Sequence, residues 1–295
     1  MKKALVLLLF ISCLALTGCE KPDPAVAFTP TLPAVSPTVL LRYPTPTLTL
    51  TPTPAPTRGN TSYQLNGVFF VMPECLSAAP AVSVVPAVLP DPNAGPLMVF
   101  PQHRQIVLDR YPLQEKYFIP LIRVFPVAEF EAMSEMSADR ISRMREVLAD
   151  QTIEPKNTIP LLPGYSMMQV FQAQVKFLET TNVHGIRWLT ELAQYSAPVN
   201  NRDLFYSFQG MTMDGEYWVS VMLPVNAAYL QESWDSTEVP ATGLAFPPPG
   251  STILKQELES YYTLMLRLLN NTPDAGFTPA LDCLDQLVSS IAVSD

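Results

Sequence analysis

Between Phe171 and Phe177 the chain alternates strictly, with Phe171, Ala173, Val175 and Phe177 separated by Gln172, Gln174 and Lys176. A period of two puts the apolar side chains on one face of a strand and the amides and lysine on the other. A turn over residues 182–185, carrying His184, then returns the chain as a second strand over 186–193. The clearest hairpin spans 203–223 with Asp214-Gly215 at its tip, a pair that tolerates the positive φ of a tight type I′ turn. Counting outward pairs Thr212 with Tyr217, Gly210 with Val219, Phe208 with Val221 and Tyr206 with Leu223 on the face expected to be buried. The opposite face carries Ser207, Gln209, Glu216 and Ser220, with Met211 opposite Trp218 and Met222 opposite Ser207. Earlier in the chain, residues 63–72, 97–100, 105–109 and 117–125 read as strands.

Helical spacing governs 126–150, where Ile141, Met144 and Leu148 share a face, Ser137 is the expected N-cap and Arg140, Arg143 and Arg145 are left for solvent. Over 251–270, Leu254, Leu258, Tyr261, Tyr262, Met265, Leu268 and Leu269 make a wide apolar stripe. In a last helix Thr278 is the expected N-cap, Pro279 takes the first helical position, and Leu281, Leu284, Val288 and Ile291 line one side. Strands in consecutive runs predict a single α+β domain over 61–295, its mainly antiparallel sheet covered by amphipathic helices.

The first 60 residues follow other rules. Lys2 and Lys3 precede an apolar stretch from Ala4 to Leu16, closed by Leu16-Thr17-Gly18-Cys19. That order predicts a lipoprotein signal peptide over 1–18, with Cys19 as the site of lipid attachment, including palmitate-type acyl chains. The apolar stretch is too short to span a hydrocarbon core, which needs about 20 apolar residues. Residues 21–60 hold ten prolines and nine threonines against four charged residues, a composition that excludes helix and central strand. Residues 19–60 are therefore expected to be a lipidated cysteine followed by a disordered Thr/Pro-rich spacer. At about 3.1 Å per residue it reaches on the order of 100 Å.

With 27 acidic against 18 basic residues, the formal charge is −9 and becomes more negative once Lys2 and Lys3 are removed. That excludes nucleic acid as a natural partner. The 11 glycines and 2 histidines leave little for phosphate loops or metal sites, and no cofactor or metal is expected. Cys13 leaves with the signal and Cys19 takes the lipid, so Cys75 and Cys283 are expected to form a disulfide outside the cytoplasm. Buried free thiols and a redox couple are the alternatives.

No complete catalytic set is visible. His103 and His184 lie in no Gly-x-Ser-x-Gly or His-Glu-x-x-His motif. The acids Glu129, Glu131, Glu135, Asp214, Glu216, Glu257 and Glu259 sit where solvated helix faces and a turn would place them. The candidate ligand-binding face is the polar side of the hairpin, Gln209, Met211, Trp218 and Ser220. There an exposed indole beside amide and hydroxyl groups would hold a sugar or peptide. A helix laid over that face would make the same residues core.

The run Leu204-Phe-Tyr-Ser-Phe-Gln-Gly-Met-Thr-Met-Asp-Gly-Glu-Tyr-Trp-Val-Ser-Val-Met-Leu-Pro-Val225, behind a lipobox and a Thr/Pro-rich spacer, resembles a group of bacterial surface lipoproteins without an assigned activity. More loosely, the pattern is similar to exported lipoproteins of PsbP/Mog1-like fold, which implies an antiparallel sheet covered by helices and no particular activity. The expectation is a lipid-anchored, extracytoplasmic protein at the bacterial cell membrane or surface. Its domain is expected to be a non-enzymatic binding module for an envelope protein, peptide or glycan. A secreted carboxylate-dependent hydrolase and an envelope assembly or scaffold factor are the alternatives.

Overall fold

No charged residue interrupts Phe205–Thr212 or Tyr217–Pro224, so both faces of these strands can be covered. In the structure every residue of the pair except Tyr217 is buried. The structure is a computed structural model that describes residues 59–91, 99–153, 158–236, 240, 242–248 and 254–294. The expected signal peptide, Cys19 and all but the last two spacer residues lie outside the described residues.

The first elements are β1 (Thr61–Leu65), β2 (Val68–Met72), β3 (Ala79–Val85), β4 (His103–Asp109), β5 (Leu121–Pro126), α1 (Val127–Met133) and α2 (Glu135–Asp150). Then come β6 (Met168–Gln169), β7 (Ala173–Glu179), β8 (Val183–Thr190), β9 (Leu192–Ala193), β10 (Phe205–Thr212) and β11 (Tyr217–Pro224). The chain closes with β12 (Asn226–Ala227), α3 (Leu254–Asn271), β13 (Phe277–Thr278), α4 (Leu281–Ser289) and β14 (Ala292–Val293). The expected α+β class holds: a seven-stranded antiparallel sheet runs β3-β4-β5-β11-β10-β8-β7, and β1, β2 and β14 make a smaller sheet. Among the described residues no helix is long and apolar enough to cross a membrane.

Both faces of the large sheet are cores. Tyr206, Phe208, Val219, Val221 and Leu223 pack with Tyr261, Met265 and Leu269 of α3, with Leu284 and Val288 of α4, and with Val68 and Phe70 of β2. Phe205, Met211, Trp218 and Met222 pack on the other side with Phe130 of α1, Ile141 and Met144 of α2, and Leu161 and Leu162. The helices are thus divided between the two faces. This corrects the expectation of one buried and one more polar face.

The hairpin has the expected register, from Tyr206↔Leu223 through Gly210↔Val219 to Met211↔Trp218. Its tip differs from a type I′ turn, since Gly215 has a positive φ (75°) but Asp214 does not, and Gly215 N donates to Thr212 O at 2.8 Å. Asp214 serves the turn through its carboxylate, which accepts from Glu216 N at 2.9 Å.

Several boundaries move for local reasons. The expected strand over 63–72 is the hairpin β1–β2, because Asn66 and Gly67 both take positive φ (46° and 72°). Phe100 makes only an isolated bridge to Val88 rather than a strand, and residues 92–98 lie outside the description. His184 lies within β8, opposite Met211 and Glu179, because the turn comes earlier, where Thr180 Oγ1 donates to Val183 O at 2.9 Å. The helical stretch is two helices meeting at Ser134, and Ser134 rather than Ser137 is the cap, its Oγ accepting from Ser137 N at 3.2 Å. Thr278 belongs to β13 and Ala280 occupies the N-cap of α4.

Candidate functional site

The four residues expected to form a binding face do come together, but inside the protein. Gln209 and Ser220 are register partners, as are Met211 and Trp218, and none of the four is more than 2% exposed. Gln209 Oε1 accepts from Trp218 Nε1 at 2.8 Å and from Leu162 N at 3.2 Å, while its Nε2 donates to Ser220 Oγ at 2.8 Å. The polar groups satisfy one another, which lets α1, α2 and the 159–162 segment cover them. Of the two settings expected for this face, an open binding surface and one covered by helices, the structure shows the second, and no surface of the four is open to a ligand.

The other chemistry-bearing residues are dispersed. His103 packs 4.3 Å from the Phe125 ring, and its Nδ1 lies 3.1 Å from Pro101 O. Burial pulls its pKa down to about 4, leaving it neutral near pH 7. Glu129, Glu135, Asp214 and Glu216 are exposed, Glu131 pairs with Arg145, and Glu259 lies 4.0 Å from Lys255. Cys75 and Cys283 form a disulfide with Cα atoms 6.3 Å apart. Among the described residues no group of three or more potential ligating side chains could hold a metal ion.

A different region gathers exposed aromatic rings. The irregular segment after β9 is pinned to the segment after β12: Asn200 and Gln231 form a parallel bridge, Asn201 N donates to Gln231 O at 2.8 Å, and Arg202 N donates to Glu232 O at 2.9 Å. From below, Tyr261 Oη accepts from Val199 N at 2.9 Å, and Tyr262 Oη accepts from Ala197 N at 3.1 Å while donating to Ala197 O at 2.7 Å. Backbone fixed at so many points holds its side chains over two adjoining pockets. The smaller, about 320 Å³, is lined by Tyr117, Gln194, Tyr195, Arg202, Asp203 and Trp234, among others. The larger, about 520 Å³, has an apolar wall that includes Pro240, Phe246, Pro247, Leu254 and Leu258. Tyr195, Ala197 and Trp234 line both. Tyr117 is 54% exposed, Tyr195 66% and Trp234 53%.

Asp203, which lines the smaller pocket, is joined through one residue to a buried second acid. Glu191 is buried, and its Oε1 accepts from Asn200 N at 2.7 Å, while Asn200 Nδ2 donates to Asp203 Oδ2 at 3.0 Å. Burial, reinforced by the Asp203 carboxylate and opposed by the Asn200 amide, holds Glu191 well above the ordinary glutamate range. Nearby, Lys116 Nζ donates to Asn201 O at 2.8 Å, and burial lowers its pKa against the attraction of Glu232 and Asp203. A further hollow of about 450 Å³ beside β1 and β2 presents one ring, Tyr63, already stacked on Phe70 at 5.5 Å.

Periodicity does not single out Tyr195, Trp234, Asp203 and Glu191, because all four lie outside regular strands and helices. The available signal was an isolated aromatic within a polar stretch, as in Gln194-Tyr195-Ser196 and Ser233-Trp234-Asp235, where nothing periodic buries the ring. Comparison with protein-family models, curated proteins and solved structures finds no match, so the functional reading rests on this geometry.

Proposed function

We propose that the protein is an extracytoplasmic binding module, anchored through a lipid on Cys19, held off the membrane by residues 19–60, and binding its ligand in the aromatic groove. The observation that carries the reading is the shared wall. Tyr195 and Trp234 are both more than half exposed and border two pockets, although the core already buries aromatic residues of every kind. Large rings left in water on a fixed backbone add little to folding and supply contact area at low entropic cost. The Cys75–Cys283 bridge supports an oxidising compartment.

Trp188 and Trp218 are fully buried while Trp234 is exposed, so indole emission and its quenching by iodide report on the groove. Titration with neutral oligosaccharides, proline-rich peptides and acyl ligands is expected to shift the emission and protect Trp234 for one class. A groove that protects Trp234 against none of them overturns the reading. For the anchor, a labelled fatty acid is expected to enter the wild type and not Cys19→Ser.

A second reading, a carboxylate-dependent hydrolase, is favoured by the Glu191–Asn200–Asp203 arrangement, in which burial raises the pKa of one carboxyl beside another. Glu191 is only 2% exposed, however, and only Asp203 of the pair borders the pocket. Substrate would meet one carboxyl, which suits binding better than hydrolysis. Hydrolysis of an envelope glycan by the purified protein, abolished by Asp203→Asn, would reverse that preference.

A further inference from the structure

Resting on the groove as the ligand site, we infer that the ligand is a neutral glycan, one sugar ring of which seats in the smaller pocket among Tyr117, Tyr195 and Trp234, hydrogen-bonded by Asp203 and Arg202.

The chemistry of the lining selects this class. An ionised carboxylate only accepts hydrogen bonds and a guanidinium only donates them. A ligand satisfying Asp203 and Arg202 in one small pocket must therefore both donate and accept, which hydroxyl groups do. The same pocket presents three exposed rings, so the ligand also needs a flat apolar face. A pyranose combines these properties, with axial C–H bonds on its face and hydroxyls on its rim. A proline-rich peptide would instead meet Asp203 with carbonyls that only accept, because proline carries no backbone N–H.

Size and charge agree. About 320 Å³ lies at the lower end of ligand pockets and holds a ring better than a long chain. The larger pocket shares Tyr195 and Trp234 and has no charged side chain among its described lining residues, so a second sugar can continue past the same two rings. Asp203, Glu232 and Asp235 lie about this region against Arg202 and Lys116, and that acidic excess, in a chain of net charge −9, disfavours uronic acids, phosphate-bearing polymers and other anionic glycans.

The test uses the purified full chain, kept free of sugar-based detergents. It is titrated with neutral oligosaccharides of two to six glucosyl, N-acetylglucosaminyl, mannosyl or xylosyl units, with a uronic acid oligomer and a proline-rich peptide alongside, and iodide quenching of Trp234 is followed. At least one neutral series is expected to protect Trp234, with affinity weakened about tenfold by Tyr195→Ala, the size of one lost ring contact. Tyr195 is mostly exposed, so that variant is expected to fold, as circular dichroism would verify. Asp203→Asn is expected to weaken the same ligand and to lose discrimination against the uronic acid oligomer. Protection by the peptide alone overturns the glycan assignment and leaves the groove as a binding site. Glycan binding that Tyr195→Ala and Asp203→Asn leave unchanged removes the site from the groove and overturns both readings.

Discussion

His103 shows how burial sets the charge of a single side chain here. It is 4% exposed, packed between Phe100 and Phe125, and its Nε2 has no hydrogen-bond partner among the described residues. Burial lowers its pKa to about 4, with Arg123 adding to the shift and the Pro101 carbonyl opposing it. An unfolded histidine titrates near pH 6.5. As pH falls from 6.5 to 4 the unfolded state therefore takes up a proton that the folded state refuses, and stability declines by up to about 3 kcal/mol over that window. His103→Phe removes this component, so its stability relative to wild type is expected to rise steadily between pH 7 and pH 4 in urea unfolding. A constant difference would refute the assignment. Glu191 has the opposite sign. Its raised pKa keeps it protonated in the folded state after the unfolded chain has ionised, so stability falls as pH rises above the ordinary glutamate range. Glu191→Gln keeps an acceptor for Asn200 N and cannot ionise. It is therefore expected to gain on wild type between pH 5 and pH 8, and thermal melts at the two values would show whether it does.

At the scale of elements, Gln174 decides how one strand and one helix fit together. It takes a positive φ (55°) at the bulge in β7, where the pairing with β8 shifts between Ala173 and Lys176. Its Nε2 donates to Leu269 O and Thr272 O, both at 2.8 Å, and to Asn270 O at 3.3 Å. Those carbonyls lie at or just past the end of α3, where a helix leaves its last carbonyls without intrahelical partners, and Leu269 O also accepts from Thr272 N at 3.3 Å. Gln174→Ala is expected to cost about 1–3 kcal/mol and to speed amide exchange in the last turn of α3; unchanged exchange there would show the cap to be idle. The same bulge explains a misreading. Alternation over 171–177 was legible as a strand, yet Ala173 and Leu178 face one core and Phe177 the other, because the extra residue reverses the phase. The β10–β11 register was legible because parity is insensitive to turn type. Burial of its polar face was legible only as one of two outcomes, an open face or one covered by a helix, and the mutual hydrogen bonds of Gln209, Ser220 and Trp218 are what make the covered one possible. The Asn66-Gly67 turn carried a readable signal that the apolar run around it obscured. The groove was illegible for a different reason, since Tyr117, Tyr195, Asp203 and Trp234 meet only through tertiary packing.

Across the whole molecule, the two ends of the described chain are fastened together more than once. β14 pairs with β2, Ser290 Oγ accepts from Val71 N at 2.8 Å, and Arg104 donates to Ser294 O at 2.8 Å. The Cys75–Cys283 disulfide adds a covalent tie across a separation of 208 residues. Because non-covalent contacts already set the folded arrangement, the bridge acts chiefly by restricting the unfolded chain. The loop-entropy estimate for so long a loop is about 5 kcal/mol, a ceiling that residual structure in the unfolded state reduces. Replacing both cysteines by alanine is therefore expected to lower unfolding free energy by several kcal/mol while leaving the tryptophan emission maximum of the native protein unchanged. The denaturant dependence is expected to steepen, since an uncrosslinked chain exposes more surface when it unfolds. A native spectrum that changes along with stability would mean that the bridge shapes the fold. A variant as stable as wild type would mean that β14, Ser290 and Arg104 restrain the ends without it.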